Sequence, residues 1–462
     1  MKARCATLVS VLVSATTLFF EPSPVAAQSA AEVGTNFSFA GTWDGKMSGL
    51  PGITLTIDEA GGAVSGNVLL YFQVGSAIPL LMPRVHGKTL TFEVQRHKCQ
   101  GCEEFAPNAK FRMELSGLDE ASLWIIADGE IGQTSGPELK LTRRSESVSW
   151  HDSSKHQVQF IIVEYGVRLE VLDWGGAGRP VVLLAGSGNT AHIFDDFAPK
   201  LTAFCHVYGI TRRGCGESSN PDTGYTEQRL ADDVLQVLDS LKLLAPVLVG
   251  HSMAGEELTR LGEEHSDRLA GLVYVDAASD PTDFPASSPA YMALYNALPR
   301  GMRDHAPPST SDLKSFQAYR DWQVRSGEVS FPESELRNQF DTNPDGSVGR
   351  FRNSPYVHEA IGAGALKRDY SGIRVPVLAF FPSASAKPKY EPKDVQERAT
   401  IEAFDTATQT YILRWKKNLL NASGGVRIVD VPGANHYVFL SNDADVIREL
   451  HAFLAALPST AR

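Results

Sequence analysis

Ser252 lies in the string Gly250-His251-Ser252-Met253-Ala254-Gly255, after the apolar run Pro246-Val247-Leu248-Val249 and before the helical pattern Glu256-Glu257-Leu258-Thr259-Arg260-Leu261. A strand, a sharp turn with serine at its tip and then a helix is the context in which G-x-S-x-G presents a nucleophile. The tip backbone is strained there, and bulk two positions to either side of the serine would clash where strand and helix cross. Gly250 meets that requirement on one side. Ala254 stands on the other, with Gly255 next, so the string is a variant that keeps the demand for small side chains.

A serine hydroxyl is a weak nucleophile until a base takes its proton and a carboxylate orients that base. His436 is the expected base, in the loop Pro432-Gly433-Ala434-Asn435-His436 that follows the strand pattern Val426–Val431. His251 sits inside the turn and is expected to point elsewhere, and His265 falls on a helix. The expected acid is Asp276, at the end of the run Leu272-Val273-Tyr274-Val275, with Asp394 in reserve. The loop after the next strand, Phe381-Pro382-Ser383-Ala384-Ser385-Ala386-Lys387-Pro388, has no carboxylate before Glu391 and Asp394, which favours Asp276 over a reading in which it only caps its strand. A developing oxyanion needs two backbone N–H groups. Met253, next to the serine, is one expected donor, and Ser187 in the glycine-rich loop Ala185-Gly186-Ser187-Gly188-Asn189 is the other. That loop is a poor phosphate cradle, because G-x-G alone is weak and the P-loop lysine is missing. Chemistry of this kind requires no metal and no organic cofactor.

The elements that must position these groups are legible from periodicity. Strand patterns run over Val158–Tyr165, Arg168–Leu172, Pro180–Leu184, His206–Ile210, Pro246–Val249, Leu272–Val275, Val375–Phe380 and Val426–Val431. Their separation by helical or long connections predicts an α/β unit over residues 155–460, with a mostly parallel eight-stranded sheet flanked by helices. Leu230–Leu243 and Ala444–Leu457 carry apolar residues at helical spacing. From about residue 279 to 374 the alternation stops, over a stretch too long for a structureless loop. It is expected as a helical cap inserted after the sixth strand, with Tyr291, Met292, Tyr295, Phe316, Tyr319 and Trp322 lining a pocket or packing cap against core.

Residues 39–144 differ. Ile53–Ile57, Thr89–Val94, Lys110–Leu115 and Glu138–Leu141 alternate with period two, and turn signals such as Gly61-Gly62, Ser116-Gly117 and Asp128-Gly129 separate them. This predicts a small antiparallel all-β barrel or sandwich, with Trp43, Phe92, Phe111 and Trp124 in its core. No catalytic constellation is visible in it. Residues 28–38 read as a linker.

The first 27 residues carry Lys2 and Arg4, then the apolar stretch Ala6–Phe20, then Val25-Ala26-Ala27. That is the pattern of a secretory signal peptide cut after Ala27, and it predicts a secreted or periplasmic protein. The apolar run is short for a membrane span of about 20 residues, and no later stretch is long and apolar enough, so the mature chain is expected to have no span. In an oxidising compartment Cys99 and Cys102 are expected to pair locally. A zinc site on His97, Cys99 and Cys102 lacks a second ligand pair. Cys205 and Cys215 lie on one extended segment and are expected to be free. The 462 residues, 43% hydrophobic and 21% charged, allow two or three soluble domains, and the formal net charge of -11 argues against nucleic acid as a partner.

Over roughly residues 155–460 the chain resembles the α/β-hydrolase superfamily. The resemblance rests on Ala185-Gly186-Ser187-Gly188, Arg213-Gly214-Cys215-Gly216-Glu217-Ser218, Gly250-His251-Ser252-Met253-Ala254-Gly255 and Asn435-His436, in that order. It implies the α/β-hydrolase fold and a Ser–Asp–His triad in the order nucleophile, acid, base. Where the first motif of the superfamily often begins His-Gly, this chain has Ala185-Gly186. An acid after the sixth strand resembles haloalkane dehalogenases, but those attack with aspartate, and Ser252 argues against dehalogenation or epoxide opening. The expectation is a serine hydrolase acting on a small-molecule carboxylic ester. An amidase, peptidase or lactonase on the same triad, or a non-catalytic binding protein with a vestigial site, remains open at this stage.

Overall fold

The computed structural model describes residues 37–47, 50–71, 75–95, 108–126, 138–144, 150–303, 307–326, 329–343, 345–352, 355–383 and 390–458. The signal-peptide reading, Cys99 and Cys102 lie outside these residues. The described chain forms two compact units, one holding the residues up to Ser149 together with Phe160–Arg168, the other Trp150–Gln159 together with Leu169 onward.

The first unit is a nine-stranded sheet in the order Ile78–Pro79, Ala63–Leu70, Leu50–Ala60, Gly41–Met47, Leu139–Arg143, Glu120–Ile126, Ala109–Leu115, Thr89–Val94, Leu81–His86. Its ladders are antiparallel, as period-two alternation over short runs demands. Trp43, Leu55, Leu90, Phe92, Phe111 and Met113 form the core, with Trp43 Nε1 donating to the Phe39 carbonyl at 2.8 Å. Trp124 does not join them. Successive residues of a strand face opposite sides, so with Leu123 buried Trp124 is turned outward, where it pairs across the ladder with Arg112.

The second unit is built on the order Val426–Val431, Val377–Pro382, Gly271–Val275, Val247–His251, Pro180–Leu184, His206–Ile210, Val167–Gly175. The first six are mutually parallel, and Val167–Gly175 runs antiparallel to His206–Ile210. The central strands are buried on both faces, which explains their unbroken Val and Leu runs. Pro180–Leu184 connects towards one edge and Val247–His251 towards the other. The crevice beyond their carboxyl ends is the switch point where open α/β sheets place ligands. Ser187 and Ser252 both follow directly from these two strands.

The region 279–374 holds the helices Pro289–Ala297, Arg300–Arg303, Thr310–Leu313, Phe316–Arg325, Glu333–Gln339 and Pro355–Ala363, plus the hairpin Phe340–Thr342 with Val348–Phe351. Phe316 and Tyr319 belong to the main core, with Trp322 packed against it. Tyr291 and Tyr295 pack on Phe404 of a 25-residue helix, Val395–Leu419, that the apolar periodicity did not reveal. That helix is mostly exposed, so it carries too few core residues to leave a clear stripe. Among the described residues no helix is long and apolar enough to cross a membrane. Cys205 and Cys215 are free and buried, and burial pushes their thiols up to about 12 and about 11.

Candidate functional site

The turn after Val247–His251 places Ser252 at φ +54°, in the left-handed region that side chains avoid. The neighbours enforce it. A Cβ on Gly250 would lie 2.7 Å from Leu258, and one on Gly255 would lie 1.8 Å from the Ala277 carbonyl oxygen. The tightest small-residue requirement therefore falls on Gly255, while Ala254 fits fully buried. A Cβ on Gly186 would sit 3.1 Å from Ser252 Cβ and 2.8 Å from His251 Nδ1, so only glycine lets the Ala185–Asn189 loop approach the serine.

His436 reaches Ser252 from a point 184 residues further along the chain, with Nε2 to Oγ at 2.9 Å. Its other ring nitrogen, Nδ1, is 2.7 Å from Asp276 Oδ2. An Nδ1–H donated to the carboxylate leaves the Nε2 lone pair facing the serine hydroxyl. Asp276 is itself at φ +46° and its amide donates to the Phe380 carbonyl at 3.0 Å, which ties the strand end to its neighbour. Asp394, the reserve acid, caps the helix Val395–Leu419 by accepting from the Glu397 amide at 2.8 Å. A carboxylate used for capping at that place does not reach the imidazole.

His251, inside the turn, has a partner of its own at the site. Its Nε2–H donates to the His436 carbonyl at 3.0 Å, and its ring packs 4.6 Å from that of His436. Burial, reinforced by His436, depresses its pKa well below the ordinary histidine value, so it stays neutral.

Ser187 and Met253, the expected amide donors, follow the two strands that flank the crevice, and both are partly buried. Ser187 Oγ lies 2.5 Å from Nδ1 of His358, on the inserted helix Pro355–Ala363. A second inserted helix, Glu333–Gln339, holds the far end of the same loop. Glu335 is fully buried and accepts from Asn189 Nδ2 at 2.9 Å, from the Thr190 amide at 3.1 Å and from the Thr190 hydroxyl, while Gln339 Nε2 donates to the Gly188 carbonyl at 3.0 Å. Asn189 Oδ1 in turn accepts from Tyr437, next to the histidine, at 3.0 Å. Neither Glu335 nor His358 was singled out from sequence. Each acts across more than 140 residues of chain, and no local pattern marks such a pairing.

The description "Alpha/beta hydrolase family" attaches to the family pattern that matches residues 181–449. Among curated proteins the chain is similar to RutD of Caulobacter segnis, named as a candidate carbamate hydrolase, at 36% identity over 119 residues, which is 25% of this chain and 45% of the relative. It is also similar to non-heme chloroperoxidase CPO-A1 of Kitasatospora aureofaciens, at 36% over 24% of this chain and 41% of the relative. Epoxide hydrolase A of Mycobacterium tuberculosis matches at 33% over 25% and 37%. The chain thus spans less than half the length of these relatives. Among solved structures, that of E-2-(acetamidomethylene)succinate hydrolase aligns with a TM-score of 0.46 at 19% identity, covering 65% of this chain and 100% of the other.

Proposed function

Because the chain belongs to the alpha/beta hydrolase family, we propose that it is an exported serine hydrolase that cleaves a small carboxylic ester through an acyl-enzyme. The observation that carries this reading is the continuous relay from Ser252 Oγ to His436 Nε2 and from His436 Nδ1 to Asp276 Oδ2, at 2.9 and 2.7 Å.

In the proposed reaction Ser252 Oγ attacks the ester carbonyl carbon while His436 Nε2 takes its proton. The Ser187 and Met253 amides face the oxygen that becomes negative, stabilising the tetrahedral intermediate. His436 then protonates the departing alcohol. Water then attacks the acyl carbon while His436 takes one of its protons, and His436 returns that proton to Ser252 Oγ as the acid leaves. Asp276 holds the imidazole in the tautomer that leaves Nε2 free to accept and stabilises the imidazolium. The signal-like first 27 residues support export, and a mature chain beginning at Gln28 is the expected result of N-terminal sequencing.

A fluorophosphonate probe tests the nucleophile, since only an activated serine reacts. Labelling of Ser252 in the folded wild type, absent in Ser252→Ala, is expected. Intact esterase activity in Ser252→Ala would refute the mechanism. The carbamate-hydrolase name of one relative motivates a second reading, cleavage of a C–N bond on the same relay. Rates on matched ester and amide substrates separate the two.

A further inference from the structure

Four side chains that take no part in the relay converge elsewhere in the second unit. Asp152, His156, His192 and Asp195 each offer a ligand atom, and these atoms lie within 4.8 Å of one another. His156 Nδ1 is 2.8 Å from Asp195 Oδ1 and His192 Nδ1 is 3.1 Å from Asp195 Oδ2. Asp152 Oδ2 is 3.7 Å from His156 Nε2 and 3.8 Å from His192 Nδ1. A tetrahedral ion with bonds of about 2.0–2.1 Å separates its ligand atoms by about 3.3 Å. The four residues lie close enough to converge on one ion, with His156 turning one ring nitrogen to Asp195 and the other to Asp152.

The surroundings are arranged as they are around metal ligands. A ligating histidine usually gives its second N–H to a carboxylate, and a ligating carboxylate is itself hydrogen-bonded. His192 Nε2 faces Glu170 Oε1 at 3.4 Å, and the other Glu170 oxygen accepts from Thr211 Oγ1 at 2.7 Å. Asp195 accepts from Trp174 Nε1 at 3.0 Å and from Ser334 Oγ at 2.5 Å. The side chains of His156, His192 and Asp195 are almost fully buried, whereas Asp152 is 26% exposed and gives the site an opening to solvent. Two imidazoles and two carboxylates make a nitrogen–oxygen donor set that suits zinc.

We propose that Asp152, His156, His192 and Asp195 bind one structural divalent cation of the zinc class. The ion would fasten the segment Trp150–Gln159 to the turn Ala191–Phe194, which follows directly on the loop that carries Ser187 and Asn189. It supplies rigidity and takes no part in the hydrolytic steps. Without a cation the same groups would form a buried ion-pair network, and the experiment separates these two states.

Tag-free chain is stripped with a chelator, equilibrated with Zn²⁺, freed of excess metal and analysed for bound zinc and melting temperature. About one zinc per chain is expected, with a melting temperature several degrees higher than that of the stripped protein. Asp152→Asn and His156→Gln should lose both effects. Should those variants fail to fold, Co²⁺ loaded into the stripped wild type provides the second readout. Intense visible bands of tetrahedral cobalt without thiolate charge transfer support the site, and a weak six-coordinate spectrum overturns it. Zinc uptake unchanged in Asp152→Asn and His156→Gln, no uptake in the wild type, or uptake abolished in Cys99→Ser with Cys102→Ser would each overturn it too. Fluorophosphonate labelling of Ser252 is scored in the same samples, so that failure of this site is distinguishable from failure of the hydrolase reading.

Discussion

Thr190 donates to the Glu335 carboxylate through both its amide and its hydroxyl, inside a contact closed to solvent. One residue belongs to the loop that leaves the strand Pro180–Leu184, the other to a helix of the inserted region. The insertion therefore supports, from within, the side of the fold that carries Ser252. It does so with a carboxyl whose pKa burial raises to about 7, against the pull of the Thr190 and Asn189 hydrogen bonds.

That carboxyl sets a pH dependence with a definite sign. Its folded pKa of about 7 lies above the ordinary 4.5, so between these values the native state holds a proton that the unfolded chain has lost. Stability should fall as pH rises through that window, by on the order of 3 kcal/mol at most. Glu335→Gln should abolish this slope. At acidic pH, where the native carboxyl carries a proton and so presents one accepting oxygen and one donating group as an amide does, the substitution should cost only about 1 kcal/mol. Urea unfolding at a series of pH values measures both.

His251 has the opposite sign. Its folded pKa is depressed, so below the ordinary 6.5 the unfolded chain binds a proton that the native state refuses, and stability should fall with falling pH. His251→Asn should flatten that acid limb. An unchanged acid limb in this variant would show that the ring is not held neutral.

The two candidate acids make different demands. Asp276→Asn should lower kcat by on the order of 10⁴-fold, because the imidazole loses the partner that fixes its tautomer. Asp394→Ala should leave kcat close to wild type and cost about 1 kcal/mol of stability through its lost helix cap. Steady-state kinetics and thermal melts on the pair decide. Comparable losses of kcat would contradict the assignment.

The turn offers a paired test of sterics. Gly255→Ala puts a methyl against the Ala277 carbonyl oxygen and should destabilise by about 3 kcal/mol or more, since that oxygen belongs to backbone that cannot rotate aside. Ala254→Gly should cost only about 1 kcal/mol. Melting temperatures of the two variants give the comparison directly.

For Ser187 the relevant group is the amide. Ser187→Ala removes the contact with His358 but keeps the N–H, so kcat on an activated ester should stay within about tenfold, well short of the 10²–10³-fold expected for a lost oxyanion donor. A full loss would assign the chemistry to the hydroxyl.

Much of the site was legible because it obeys local rules. Small residues around a serine between a strand and a helix announce the turn, and a histidine after the last strand announces its partner. The strands Pro180–Leu184, His206–Ile210 and Val426–Val431 have the limits that their apolar runs suggested. Trp124 shows where the reading ends. Alternation tells that a strand has two faces, but aromatic bulk alone does not tell which face is inside.

The sequence by itself determined the succession of the strands around the serine, the serine turn and the histidine loop, because periodicity and steric exclusion act over a few residues. Tertiary structure alone decided that Asp394, the reserve acid, serves a helix end, and that Glu335 and His358 come to the loop beside Ser252. Those outcomes depend on how distant segments pack, and the free energy of a contact between distant residues leaves no spacing in the chain from which to read it.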